Sequence, residues 1–157
     1  SRGMKKSMYA FKYNNRREYA KYYASVIAKE FKDVIFSWNC EVLVPVPLHR
    51  RKLIKRGYNQ AEILAKRLSE QLLIPMDNKI LIRTRNTVPL KELNEKERIT
   101  NLKSAFQTDE IKLKYKRIIL VDDIYTTGST IDECAWTLLR NGAEEVYFIT
   151  ACIGRGF

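Results

Sequence analysis

Apolar and polar positions alternate along the chain in a way that predicts helices and strands in turn. Four residues recur at every fourth position from Arg16 to Phe31, which is helical spacing: Tyr19, Tyr23, Ile27 and Phe31. This segment predicts a basic, tyrosine-rich helix. The β-branched run Glu41–Pro45 predicts a short buried strand, ended by Pro45 and Pro47.

The middle of the chain continues the same pattern. A basic stretch, His49–Gly57, predicts a loop, and the apolar spacing in Asn59–Leu72 predicts a helix with Pro75 beyond its end. Ile80–Thr84 predicts another strand. The polar stretch Arg85–Lys103 predicts a mobile loop that contains one short helix around Asn94–Leu102.

The last third contains the clearest strand, Arg117–Val121. It is followed by a predicted helix at Thr130–Arg140, which Asn141-Gly142 closes, and a final predicted strand at Glu145–Cys152. Strands that alternate with helices predict an α/β fold, in which helices cover both faces of a parallel sheet.

Length and composition agree with a folded chain. The 157 residues, 45% of them hydrophobic, are enough for one core without disulfides, and no apolar run approaches the ~20 residues that a membrane-spanning helix needs. Ser1-Arg2-Gly3 resembles an expression-tag remnant and is left out of the fold prediction. We expect 4–157 to form a single domain.

The positive charge is concentrated in the first half. The formal net charge is +11, and residues 1–70 carry 16 Lys and Arg against 6 Asp and Glu, whereas residues 71–157 carry 13 against 12. Such polarity suits nucleic acid, phosphorylated metabolites or an anionic membrane surface as partners.

The cysteines and the histidine do not indicate a metal centre. Cys40, Cys134 and Cys152 are widely spaced without a C-x-x-C pair, and His49 is the only histidine. We therefore expect reduced, packed thiols, with no disulfide framework and no zinc site.

The segment after the clearest strand, Asp122–Thr130, has candidate chemistry. Asp122 and Asp123 offer carboxylates that can accept hydrogen bonds from vicinal hydroxyls or hold a divalent cation. The hydroxyl-rich turn Thr126–Thr130 leads into a helix, whose N-terminal N–H groups suit a phosphate. The structural alternative is a capped helix start with a turn glycine and two solvated aspartates.

The complete string resembles a known motif. A hydrophobic strand, two acids, an aromatic and T-T-G-S-T resemble the phosphoribosyl pyrophosphate (PRPP) motif of type I phosphoribosyltransferases. The run Val44–Arg50 (VPVPLHR) and the segment Arg56–Gln60 (RGYNQ) resemble the signature of the ComF family of ComFC-type competence proteins. The resemblance extends from Lys12 to Ile153. Two features depart from the family pattern: the four-cysteine zinc module is lacking, and Pro89-Leu90 replaces the usual Pro-Gln.

The resemblance implies a PRPP site that uses Mg²⁺. Asp122 and Asp123 would hold the ribose hydroxyls and Mg²⁺, and Tyr125 would stack on the ribose or fill space. The implied 5-phosphate residues are Tyr125, Thr126, Thr127, Gly128, Ser129 and Thr130. The implied pyrophosphate loop comprises Pro47, Leu48, His49, Arg50 and Arg51, and the implied flexible loop includes Arg85, Thr87 and Arg98.

Two functions follow from the resemblance. The first is a PRPP-binding protein of natural transformation and DNA uptake that binds single-stranded DNA, and the alternative is an active phosphoribosyltransferase with an unidentified small-molecule acceptor. Cations interleaved with tyrosines suit single strands, although the helical spacing of Tyr19 and Tyr23 favours a core position for those two. The expected DNA-binding residues are Lys12, Arg16, Arg17, Lys21, Lys52, Lys55 and Arg56.

The same resemblance implies partners and a location. Other competence proteins, such as a helicase, are expected partners. We expect a cytoplasmic location, with peripheral association at the inner face of the membrane as the alternative.

Overall fold

The computed structural model describes residues 18–84, 105–108, 113–125 and 127–153. The strands in these ranges are β1 (Val42–Pro45), β2 (Leu81–Arg83), β3 (Phe106–Thr108), β4 (Arg117–Tyr125) and β5 (Glu145–Ile153). The helices are α1 (Glu18–Ser37), α2 (Arg50–Arg56), α3 (Gln60–Leu72) and α4 (Ser129–Arg140).

The main sheet has the strand order β1-β4-β5, and both pairings are parallel. β1 pairs with β4 only from Val42 opposite Ile118 to Pro45 opposite Val121. β5 accompanies β4 as far as Tyr125, which lies opposite Ile153. The end of β4 therefore extends beyond the end of β1.

Apolar residues are buried on both faces of this sheet. On one face, α1 and α3 pack against residues such as Leu43 and Ile119. On the other face, α4 and the β2–β3 ribbon pack against residues such as Val44 and Leu120. The predicted α/β class, a parallel sheet with helices on both faces, is confirmed.

The predicted basic loop at His49–Gly57 was wrong, because most of it is helical. Nδ1 of His49 accepts a hydrogen bond from the N–H of Arg51 at 3.2 Å and caps α2, and Gly57 ends the helix in the left-handed conformation with φ +84°. No glycine or proline interrupts the seven residues between them, and α2 has no buried residue. Its charge reflects a solvated helix surface rather than a loop.

Two further details differ from the sequence prediction. β2 does not join the parallel sheet but pairs antiparallel with β3 as a separate ribbon. Phe31 is 54% exposed, although it continues the spacing of Tyr19, Tyr23 and Ile27. Positions four apart rotate by about 40° per step on an α-helix, so the fourth has left the buried face.

The three cysteines are free thiols, with Cys134 and Cys152 buried and Cys40 partly buried. Among the described helices, none combines the length and the apolar character that crossing a membrane requires.

Candidate functional site

A cavity of about 220 Å³ lies where β1 stops and β4 continues. The N–H of Val46 donates to the carbonyl of Val121 at 2.8 Å, one residue beyond the end of β1, and Pro47 follows. The chain then leaves the sheet and exposes the end of β4. The cavity is lined by Val46, Pro47, Leu48, Lys52, Arg56, Asn59, Gln60, Arg83, Asp122, Asp123, Ile124, Tyr125, Gly128, Thr130 and Ile131.

Asp122 and Asp123 form the acidic part of the wall. They lie within β4 and not after it, since β5 holds the strand extended as far as Tyr125. Oδ1 of Asp122 accepts the backbone N–H of Asp123 at 2.8 Å, and Asp123 is only 6% exposed. The structure thus brings both carboxylates to one cavity at the carboxyl end of the sheet, where ligands of open α/β folds bind.

The start of α4 forms the adjoining wall through Gly128 and Thr130. Gly128 adopts φ +82° at the N-cap, and the ring of Tyr125 lies directly over it. The first N–H groups of an α-helix have no partner within the helix and carry a partial positive charge, so this wall suits an anion.

Two of the predicted hydroxyl residues lie just outside the cavity wall. The hydroxyls of Thr127 and Ser129 are 3.0 Å apart, and Oγ1 of Thr127 accepts the N–H of Ser129 at 3.4 Å. Thr127 is exposed. These hydroxyls therefore border the start of α4 from the solvent side.

Three cations also line this cavity, Lys52, Arg56 and Arg83. Lys52 and Arg56 project from α2, and Nη1 of Arg56 donates to Oε1 of Gln60 at 2.8 Å. Arg83 comes from the ribbon, with its guanidinium 5.1 Å from the centre of the Phe106 ring. Burial lowers the pKa of Arg83, and the negative charge of nearby Asp122 partly offsets this lowering. A cavity lined by both acids and cations suits a ligand that carries both hydroxyls and phosphates.

The remaining predicted residues are distributed over the surface or lie outside the described residues. Pro47 and Leu48 line the cavity, whereas His49 caps α2 and does not line it. Exposed residues away from the cavity wall are Arg50, Arg51, Lys55 and Lys21. The predictions at Lys12, Arg16, Arg17, Arg85, Thr87, Arg98 and Thr126 fall outside the described residues.

Sequence reasoning did not assign a role to Asn59, Gln60 or Arg83, although each lines the cavity. The signal available for Asn59 and Gln60 was the segment Arg56–Gln60 (RGYNQ), which we used only as part of the family resemblance. Arg83 carried a weaker signal as a cation at the end of a short apolar strand.

The donor set of the cavity fits one kind of metal. In the described residues, no three His, Cys, Asp or Glu side chains gather into a site that could hold an ion by themselves. Two adjacent carboxylates nevertheless suit Mg²⁺, which takes one or two protein carboxylates and completes its shell with water and substrate phosphates. Asp122 and Asp123 fit a Mg²⁺ that arrives with a phosphorylated ligand.

Comparison with protein families gives one clear match. The family model described as "phosphoribosyl transferase domain" matches residues 52–156. Competence protein F of Haemophilus influenzae is 42% identical over 108 residues, 68% of this chain and 47% of that protein. DNA utilization protein YhgH of Escherichia coli is 40% identical over 110 residues, 70% of this chain and 48% of that protein.

A third relative aligns over more of the chain. Competence protein ComFC of Bacillus subtilis is 33% identical over 143 residues, 88% of this chain and 55% of that protein. The chain thus spans about half the length of the curated relatives that it matches. Among solved structures, a purine phosphoribosyltransferase from Pyrococcus horikoshii superposes with a TM-score of 0.49 and 19% identity, covering 82% of this chain and 71% of that one.

Proposed function

Because the chain belongs to the phosphoribosyl transferase domain family as a ComF-type member, we propose that it binds PRPP with Mg²⁺ in the cavity at the end of β1 and β4. One observation carries the proposal: Asp122 and Asp123 line the same cavity as Lys52, Arg56 and Arg83, and the N-terminus of α4 adjoins that cavity. PRPP has hydroxyls at its centre and phosphates at both ends, so it needs all three kinds of wall.

The 5-phosphate would lie at the start of α4. Gly128 lets the ligand approach the backbone closely, and Thr130 lines the same wall. Thr127 and Ser129 would turn their hydroxyls toward the phosphate, and Thr126 is expected to join them. The ring of Tyr125 closes this end of the cavity.

The pyrophosphate would lie at the end of β1. Pro47 and Leu48 form that wall, and the cations nearest to it are Lys52, Arg56 and Arg83. They take the place that we expected for Arg50 and Arg51. His49 would contribute indirectly, by starting the helix that carries Lys52 and Arg56.

Mg²⁺, when bound, would neutralise charge on the departing pyrophosphate. Asp122 and Asp123 would hold it together with the ribose 2- and 3-hydroxyls. The residues of the chain would orient the sugar, bind its 5-phosphate and its pyrophosphate at separate places and exclude water from C1.

The alternative is that the same site catalyses transfer. In that reaction the bond from C1 to the pyrophosphate oxygen breaks, a bond forms from C1 to a nucleophilic atom of the acceptor, and the acceptor's proton leaves to solvent. The predicted loop residues Arg85, Thr87 and Arg98 would cover the reacting centre. The acceptor would be a small molecule that the cavity does not identify.

A second binding function has its own observation. α2 has the sequence RRKLIKR, none of its residues is buried, and it has no acid in its first turn. Such a helix suits the backbone of single-stranded DNA. The names of the relatives, competence proteins and a DNA utilization protein, favour a role in DNA uptake. A cytoplasmic location and partners such as a helicase stay predictions.

Titration calorimetry with PRPP and Mg²⁺ tests the primary proposal. The wild-type chain should bind PRPP, and Asp122→Asn should weaken binding by at least about tenfold, because it removes a charged acceptor of the ribose hydroxyls. Asp132→Asn is the matched control, since Asp132 is exposed on the first turn of α4 and does not line the cavity. Failure of the wild-type chain to bind PRPP would overturn the proposal.

A further inference from the structure

The side chain of Asn59 connects two walls of the cavity. Its Nδ2 donates to the carbonyl of Val46 at 3.0 Å, and its Oδ1 accepts the N–H of Ala61 at 3.0 Å. Asn59 is 8% exposed and lines the cavity itself. One amide thus ties the end of β1 to the start of α3.

The end of β1 needs such a tie. Beyond the paired residues of β1, the chain makes one further bond to β4, from the Val46 N–H to the Val121 carbonyl, and then leaves the sheet. The direction in which the chain leaves the sheet at Pro47 and Leu48 therefore depends on what holds the Val46 carbonyl. Asn59 holds it through a bond that bridges 13 positions of sequence.

The same residue also places a cation. Asn59 caps α3, and Gln60 is the first residue of that helix. Oε1 of Gln60 accepts a hydrogen bond from Nη1 of Arg56 at 2.8 Å. Gln60 is 3% exposed, so its side chain has little freedom. The position of Arg56 in the cavity thus follows from the position of the start of α3.

We propose that Asn59 is a positioning residue for the pyrophosphate end of the ligand, acting through the Pro47–Leu48 wall and Arg56. The inference rests on the proposed function. It separates the two ends of the site, because the side chain of Asn59 bonds to Val46 at the end of β1 and to Ala61 in α3, whereas the 5-phosphate would lie at the start of α4.

Two ligands measured by calorimetry with Mg²⁺ test this separation: PRPP, which occupies both ends, and ribose 5-phosphate, which occupies one. The variant is Asn59→Ser. A serine hydroxyl can still cap α3 but is too short to reach the Val46 carbonyl, and it adds no charge. We expect affinity for PRPP to fall by about tenfold, because one hydrogen bond is lost and the Pro47–Leu48 segment shifts. Affinity for ribose 5-phosphate should stay within about twofold of the wild-type value.

A second variant covers a failure of Asn59→Ser to fold, which circular dichroism and thermal unfolding would reveal. Asn59→Thr is also uncharged and keeps a capping hydroxyl but has no donor that reaches the Val46 carbonyl, and it should show the same selective loss for PRPP. Equal losses for both ligands, or none, would overturn the inference while leaving the proposed function in place. Absence of binding of both ligands by the wild-type chain would overturn both.

Discussion

The side chain of Tyr125 lies so close to Gly128 that a Cβ atom on residue 128 would be 2.6 Å from the Tyr125 hydroxyl oxygen. The Tyr125 ring is itself held by a stack on Phe148, with ring centres 5.4 Å apart and planes at 10°. Tyr125 is the last residue of β4 and Gly128 the N-cap of α4. The turn between them is therefore closed by a side chain as well as by backbone geometry.

Gly128→Ala should destabilise the chain by about 2 kcal/mol or more. A non-glycine residue in the left-handed region costs about 1–2 kcal/mol, and the contact with Tyr125 adds to this cost. The displaced turn should also weaken ribose 5-phosphate binding. Urea unfolding and calorimetry measure the two effects.

Gly57→Ala is the matched control for that substitution. Gly57 has φ +84°, almost the same as Gly128, but nothing lies within 4 Å of the position of its Cβ. The free energy of unfolding of Gly57→Ala should fall only by the cost of the left-handed backbone, about 1 kcal/mol, and its affinity for ribose 5-phosphate should not change. Equal destabilisation by the two alanine substitutions would show that the contact with Tyr125 does not contribute to the loss of stability.

Two double variants of α2 should separate phosphate binding in the cavity from binding on the helix surface. Lys52→Gln with Arg56→Gln removes the cations that line the cavity, and PRPP affinity should fall by at least about tenfold. Arg51→Gln with Lys55→Gln removes the same charge from exposed positions of the same helix and should leave PRPP affinity nearly unchanged. Similar losses in both variants would point to a general charge effect rather than to contact.

The exposed pair should instead affect single-stranded DNA. Each phosphate contact on a single strand contributes about 0.7 to the slope of log affinity against log salt. Arg51→Gln with Lys55→Gln should therefore flatten this slope by about 1.4, as measured by fluorescence anisotropy of a labelled oligonucleotide. A wild-type affinity that does not depend on salt would contradict a backbone contact through α2.

The stability of the chain should fall as pH rises from 9 to 11. Burial, reinforced by Glu145 and Glu41 against the opposing charge of Arg117, raises the pKa of Cys40 from its ordinary value of 9.0 to about 11. In this window the unfolded chain loses the thiol proton and the folded chain keeps it, so the free energy of unfolding decreases with pH. Cys40→Ala should lessen the decrease, measured by urea unfolding below pH 9 and near pH 11.

Tyr147→Phe provides a parallel measurement on the same surface. The hydrogen bond from the Tyr147 hydroxyl to Glu145, 2.7 Å long, raises the pKa of Tyr147, and this shift has the same sign as that of Cys40. Each substitution should therefore remove part of the alkaline decrease. A decrease that is identical in the wild type and in Cys40→Ala would place the effect at other groups.

Much of the fold could be predicted from local pattern. The strand at Arg117 was evident from its apolar run. The helix at Asn59 was evident because its apolar spacing and the following Pro75 agreed, and the structure adds that Asn59 caps α3. The acids of the site were also evident, since Asp122 and Asp123 follow four apolar residues and the carboxyl end of a strand is where ligands bind.

The cationic wall could not be predicted in the same way. Which of the five cations of α2 reach the cavity depends on the angle of a short helix, and that angle depends on the His49 cap and the Gly57 end. The role of Asn59 at Val46 depends on a contact between residues far apart in sequence. Charge and spacing identify such residues as polar but do not say what they face.

The offset between the ends of β1 and β4 makes the position of the cleft independent of most side chains around its rim. The cleft exists because β1 ends at Pro45 while β4 continues to Tyr125, a difference in strand length that is set by main-chain pairing. Substitutions around the rim can therefore alter what the cleft does while the cleft itself persists. A variant that lacks one of these rim side chains would keep a cleft at the same place along the sheet.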